Sequence, residues 1–181
     1  MNTRIMQMHI MVDLETLGTN SNAPIISIGA VAFNMKEIVS EFYANVDFDS
    51  AVKMGDVDGS TVAFWFKQEK EAREKFFDGA QMSLFEALSK FYDFVNSIDS
   101  LEGVWGNGAS FDNTILVNAF TKSGMNSPWP FWKDRCYRTL KNEFPEVPFS
   151  RVGVHHNALD DAKSQATHLI EIWRYAHGEV I

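Results

Sequence analysis

The chain has 181 residues, 45% hydrophobic and 22% charged, with a net charge of −8. These are ordinary values for one globular domain that buries about two-thirds of its unfolded surface, and they exclude a disordered, collagen-like or coiled-coil chain. The acidic balance argues against a protein that coats nucleic acid, but it does not exclude an enzyme that gathers carboxylates around cations, because the metals reverse the local field.

In chain order, Met1–Met8 has neither the apolar core nor the cleavage site of a secretory leader, so no signal peptide is expected. His9–Asp13 reads as a buried strand that ends at a charge. Leu17–Pro24 (LGTNSNAP) is a loop. Ile25–Phe33 and Ile38–Val46 read as strands whose short connection predicts an antiparallel hairpin. Ser60–Phe66 and Glu69–Phe77 read as amphipathic helices. Ser83–Ile98 is a clearer one, with Leu84, Leu88, Phe91, Phe94, Val95 and Ile98 at helical spacing and a capping box from Ser83 to Glu86. Gly103–Trp105 predicts a strand, Phe111–Lys122 a helix, Ser127–Trp132 (SPWPFW) a rigid loop and Asp134–Glu143 a short helix. Asn157–His177 is the last helix, with Ala162, Ala166, Leu169, Ile170 and Trp173 as its apolar stripe. Strands first and helices alternating with strands later predict an α/β domain with a mixed sheet. No apolar run approaches the roughly 18 residues of a membrane span. The lone cysteine, Cys136, excludes an internal disulfide and fits a reducing, cytoplasmic setting.

Three segments carry candidate chemistry. In Asp13-Leu14-Glu15, the two acids are two apart in a strand and share one face. Like charges this close raise each other's pKa unless a cation sits between them, and hard divalent ions take such oxygen ligands; solvated strand ends carry the same pattern without a metal. In Trp105-Gly106-Asn107-Gly108-Ala109-Ser110-Phe111-Asp112, a strand runs through a glycine-rich turn into a helix whose first turn holds Asp112. Ser110 as a helix cap and an acid in a first turn would account for it structurally. In His155-His156-Asn157-Ala158-Leu159-Asp160-Asp161, Asn157 is a candidate N-cap and Asp160 reaches back to it. That leaves Asp161 free on the helix and His156 in the loop before it. His155, His9, His168 and His177 read as structural or solvent-exposed. Four acids and a histidine at strand ends and helix starts suit a two-metal phosphodiesterase.

At these residues the chain resembles the DEDDh 3′→5′ exonucleases of the RNase H-like superfamily. The motifs are Asp13-Leu14-Glu15-Thr16, Asn107 to Asp112, and His156 to Ala162 with the H-x₄-D spacing from His156 to Asp161. The match spans about residues 8 to 176 as one domain. Ala23 to Ala30, Trp105 to Gly108 and Arg138-Thr139 resemble the small phage and bacterial subgroup of exodeoxyribonuclease VIII-like and RNase AS-like exonucleases. Cys136 departs from that subgroup, where an Asp is expected.

The resemblance implies an RNase H-like mixed sheet, with its first three strands an antiparallel meander and helices flanking it. It implies that Asp13, Glu15, Asp112 and Asp161 bind two Mg²⁺ or Mn²⁺ ions and that His156 is the general base. The substrate would be a single-stranded DNA or RNA 3′ end, and the product a nucleoside 5′-monophosphate. Thr16, Leu17 and Gly18 would hold the terminal nucleotide. Phe111, Trp65 and Trp105 are candidates for base stacking, although the two tryptophans also suit a core. Asn107 and Arg138 complete the candidate substrate contacts. Lys133, Arg135, Arg138, Lys141 and Arg151 form a candidate phosphate track or, equally, a solvated face. No membrane partner is implied, and a homodimer is common among such enzymes. Competing readings are an endonuclease on the same fold and a non-catalytic nucleic-acid-binding module.

Overall fold

The computed structural model describes residues 7–178; the reading of Met1–Met8 as lacking a leader falls mostly outside them. Strands β1 (Met8–Thr16), β2 (Ile25–Phe33) and β3 (Ile38–Val46) form the expected antiparallel meander. The β2–β3 turn is closed by Asn34, whose Oδ1 accepts from the amides of Lys36 and Glu37. Helices α1 (Phe48–Met54), α2 (Gly59–Lys67) and α3 (Lys70–Glu74) follow, and a 3₁₀ turn covers Lys75–Phe77. Strand β4 (Gln81–Met82) adds to the edge beside β3. Helix α4 (Leu84–Asn96) starts at Ser83, whose side chain accepts from the amide of Glu86. Then come β5 (Leu101–Gly106), α5 (Asp112–Lys122), β6 (Asp134–Cys136), α6 (Tyr137–Glu143) and α7 (Ala158–Ala176). The strand order is β4-β3-β2-β1-β5-β6, with β1 central and parallel to β5.

Alternation along β1 divides the interior into two layers. Ile10, Val12 and Leu14 face a large core shared with Leu88 and Phe91 of α4 and Leu116 and Phe120 of α5. Met11 faces the other way, with Val31 and Phe33, against Ala162, Ala166, Leu169 and Ile170 of α7. Asp13 and Glu15 continue the Met11 face, so both acids leave the strand on the side that α7 covers.

Two local expectations are corrected, and two short elements were not anticipated. The stretch Asp134–Glu143 is not one helix. Its first three residues pair with β5, and Asp134 Oδ1 accepts from Asn113 Nδ2 and Trp129 Nε1, each at 2.8 Å, so tertiary bonds override local helix preference. Ser110 does not cap α5; Phe111 occupies that position without a side-chain bond. Helix α1 and strand β4 carry too few periodic residues to be anticipated; α1 is fixed by Asp47, which accepts from the amide of Ser50.

Gly29 decides how α7 sits. It lies opposite Asp13 in the β1–β2 ladder, and a Cβ there would come within 2.1 Å of the Ala158 carbonyl carbon. The first turn of α7 therefore rests directly on the sheet backbone beside Asp13. Gly29→Ala should cost about 1–3 kcal/mol in urea denaturation, because backbone rather than a flexible tip must move. Gly59→Ala, where a Cβ meets nothing within 4 Å, should hold stability or gain up to about 1 kcal/mol.

Candidate active site

Three chain segments converge at the C-terminal end of β1. Asp13 and Glu15 come from the strand itself. Asp112 comes from the first turn of α5, which approaches closely because Gly106 ends β5; a Cβ on Gly106 would lie 3.0 Å from Asp112 Oδ2. The last β1–β5 pair is Met11 with Trp105, and beyond it Asp112 Oδ1 accepts from the Leu14 amide at 3.2 Å. Asp161 comes from the first turn of α7. Its Oδ2 accepts from the His156 amide at 3.0 Å, and its Oδ1 accepts from the Arg151 guanidinium in an ion pair. One turn further, Gln165 Nε2 donates to Asp13 Oδ1 at 2.7 Å.

Carboxylate oxygens of Asp13, Glu15 and Asp161 lie within 4.8 Å of one another. Burial, then the charges of Asp112, Glu15 and Asp161, holds the Asp13 carboxyl well above the usual range. Burial, then Asp161 and Asp112, does the same for Glu15. Burial raises Asp112 to about 7, against the Leu14 amide and the Arg138 charge, which both pull it down. This donor set is all hard oxygen, largely buried and self-repelling, and the buried Oε1 of Gln165 has no hydrogen-bond partner among the described residues. Such a set fits divalent cations.

Asn157 caps α7 by accepting from the Asp160 amide, as expected. Asp160 itself does not reach back to Asn157; its carboxylate accepts from the Val154 amide and ties down the preceding loop. In that loop His156 adopts a left-handed backbone, at φ 62°. Its ring meets Phe64 and Trp65 edge-on, at 5.2 and 5.8 Å, and stacks on His155 at 3.7 Å. Burial and then the charge of His155 hold the His156 imidazole below its ordinary value. The ring is therefore largely neutral near pH 7 and able to accept a proton.

Asp13, Glu15, Asn107, Phe111, Asp112, Arg138, His156 and Asp161 all border one cleft of about 280 Å³. Leu17 and Trp65 border a neighbouring apolar groove instead. Trp65 is buried, and its Nε1 donates to the Thr16 carbonyl at 2.9 Å, so it props the first motif and the His156 ring. Thr16 is buried and donates to the Gly18 carbonyl, and Gly18 packs against the Asp56 carbonyl. Trp105 packs onto His9 and Trp173 behind the cleft and is no cleft residue. His9, His168 and His177 are structural as expected: in that aromatic cluster, bonded to the Tyr137 hydroxyl, and against the Trp173 carbonyl. His155, expected to be outside the site, borders the cleft. Gln165, Phe149 and Tyr137 also line it and were not anticipated. The four-residue step from Asp161 to Gln165 was the available signal.

The family profile of the 3′→5′ exoribonuclease Rv2179c-like domain matches residues 8–173. An exodeoxyribonuclease of Enterobacteria phage T4 is 27% identical, over 92% of this chain and 89% of its own. The nuclease domain of 3′hExo, a DEDDh family member solved bound to rAMP, superposes with a TM-score of 0.61 at 16% identity, over 97% of this chain and 94% of that one. Exonuclease X, solved with 5′-overhanging duplex DNA, does so with a TM-score of 0.58 at 19% identity, over 93% of each chain. These likenesses place the sheet in the RNase H-like fold. No helix among the described residues is long and apolar enough to cross a membrane.

The carboxylate cluster makes stability depend on pH with a definite sign. An acid whose folded pKa is raised costs stability as pH rises from its unfolded value towards its folded one. For Asp112 that window runs from 3.8 to about 7, and Asp13 and Glu15 are shifted in the same direction. In EDTA, Tm should therefore fall as pH rises from about 5 to about 7. Mg²⁺ should recover it, more at about pH 7 than at about pH 5. Asp13→Asn should flatten both responses in differential scanning fluorimetry.

Proposed function

The chain belongs to the family of 3′→5′ exoribonuclease Rv2179c-like domains, DEDDh exonucleases that hydrolyse nucleic acid, and from that premise we propose that its cleft is a two-cation active site trimming single-stranded 3′ ends. The observation that carries the reading is the convergence of Asp13, Glu15 and Asp161 oxygens within 4.8 Å, with the His156 amide bonded to Asp161. Asp13, Glu15, Asp112 and Asp161 would hold two Mg²⁺ or Mn²⁺ ions. When bound, these supply the activation of water and the neutralisation of the leaving oxygen.

The chain's own residues do the rest. Gln165 orients Asp13 through its 2.7 Å bond. The Leu14 amide fixes one oxygen of Asp112, and the His156 amide fixes one of Asp161. Phe64, Trp65 and His155 hold the His156 ring at the cleft edge, where it takes the proton of the attacking water as general base. Arg138, whose Nη2 donates to the Asn107 carbonyl at 2.6 Å, and Lys141 stand at the rim to meet phosphates. Phe111 offers a face to a base, and Leu17 borders the apolar groove next to the cleft, where it meets the terminal nucleotide only if the base reaches over that edge. The product is a nucleoside 5′-monophosphate. Residues 8–176 act as one domain, working in the cytoplasm. The family's name points to RNA and the phage relative's to DNA, so both sugars are carried into the test.

Single-stranded DNA and RNA labelled at the 5′ end, with Mg²⁺ or Mn²⁺, should give ladders that shorten from the 3′ end. EDTA or Asp161→Ala should abolish them. His156→Ala should lower kcat by about 10²–10⁴-fold, the usual weight of a general base. Internal cuts would overturn the exonuclease reading in favour of an endonuclease, and intact substrate under all conditions would leave a binding module.

A further inference from the structure

Asp161 has two oxygens and both are engaged. Oδ2 belongs to the His156 amide, a backbone bond in the fixed loop before α7. Oδ1 belongs to the Arg151 guanidinium, which cannot lose its charge. A cation shared by Asp13, Glu15 and Asp161 needs an oxygen from Asp161, and Oδ1 is the one held by a movable partner.

The surroundings of Arg151 let its side chain move and keep its backbone still. The next residue, Val152, is fixed through its amide, which donates to the buried Ser164 Oγ of α7 at 2.9 Å. The Arg151 side chain is 37% exposed, whereas that of Asp161 is 12% exposed. Its guanidinium carbon lies 5.6 Å from the centre of the Phe149 ring, and Lys141 Nζ lies 5.8 Å from the same ring. Phe149 thus gives Arg151 a surface to slide along, and Lys141 marks the rim where anionic substrate is drawn. A planar guanidinium with a fixed base and a free head suits both a carboxylate and a phosphate.

We propose that Arg151 couples cation loading to substrate binding, exchanging Asp161 Oδ1 for a phosphate oxygen of the nucleic acid. This rests on the active-site reading above. While Arg151 holds Asp161, it competes with the cation. When a phosphate draws Arg151 away, Oδ1 becomes available, so nucleotide tightens cation binding and, by linkage, cation tightens nucleotide binding. A residue that only supported the fold would weaken both ligands together. The exchange predicts opposite signs.

The test is a titration of Mn²⁺ into the whole protein, read as free Mn²⁺ by electron paramagnetic resonance, with and without AMP. Arg151→Gln should bind Mn²⁺ alone about three- to tenfold more tightly than the native protein, the range expected from removing one partly exposed competing charge. It should bind AMP more weakly, and the tightening of Mn²⁺ by AMP should shrink. Arg151→Met, which keeps the packing on Phe149, should behave alike and carries the test if the glutamine variant does not fold. A folded variant whose Mn²⁺ affinity is unchanged or weaker overturns the coupling while leaving the active-site reading intact. Native protein that binds no Mn²⁺, or binds it as well after Asp13→Asn, overturns both.

Discussion

Everything in this structure depends on two helix starts being pressed against the sheet where the chain offers no side chain to hold them off. At Gly29 the first turn of α7 rests on β2, and at Gly106 the first turn of α5 closes on the end of β5. Neither approach tolerates a Cβ. Because Gly29 lies opposite Asp13, the contact that docks α7 also sets Asp161 against the first motif. Because Gly106 is the last residue of β5, the contact that docks α5 sets Asp112 where the sheet ladder has run out. A helix start also brings unpaired amides and a positive dipole end to the acids it carries.

The arrangement works against the stability of the fold. Four carboxylates at one strand end repel one another and lose solvation, as the raised pKa values of Asp13, Glu15 and Asp112 record. The protein offsets part of this with directed polar contacts: the Leu14 amide, the His156 amide, Gln165 and Arg151. The two hydrophobic layers on either side of β1 supply what those contacts do not. The Tyr137 phenol, pushed up chiefly by burial, belongs to the same economy of fixed neutral donors around the cleft.

Much of this was legible in the residues. The D-x-E step along an apolar strand places two acids on one face by strand geometry alone, and the meander follows from the short turn at Asn34. The capping residue Asn157 marks the start of α7 and sets Asp160 apart from Asp161, although the bond of Asp160 to the Val154 amide was not legible. What was not legible depends on distant chain. Trp65 and Trp105 look alike in sequence, yet Trp65 joins the core layer of α4 and α5 and props His156, while Trp105 joins the layer under α7 and packs on His9. Asp134 reads as a helix start until Asn113 and Trp129 claim its carboxylate. Arg151 reads as one charge among several in a mixed run until the loop folds back on α7.

Helix α7 ties the rim of the cleft to its floor. Its apolar stripe, Ala162, Ala166, Leu169 and Ile170, accounts for its docking. A second stripe, Asp161, Ser164, Gln165 and His168, repeats at i, i+3, i+4 and i+7, and all four are buried despite being polar. Buried polar groups at helical spacing need partners, and each of the four has one. Asp161 takes Arg151, Ser164 takes the Val152 amide and Gln165 takes Asp13. His168 bonds the Val147 carbonyl at 3.0 Å and the Tyr137 hydroxyl at 2.7 Å. Val147 offers only an acceptor, so His168 Nε2 carries the proton and Nδ1 accepts from Tyr137. One helix face thus fixes the first motif, the loop bearing Phe149 and Arg151, and the helix bearing Arg138.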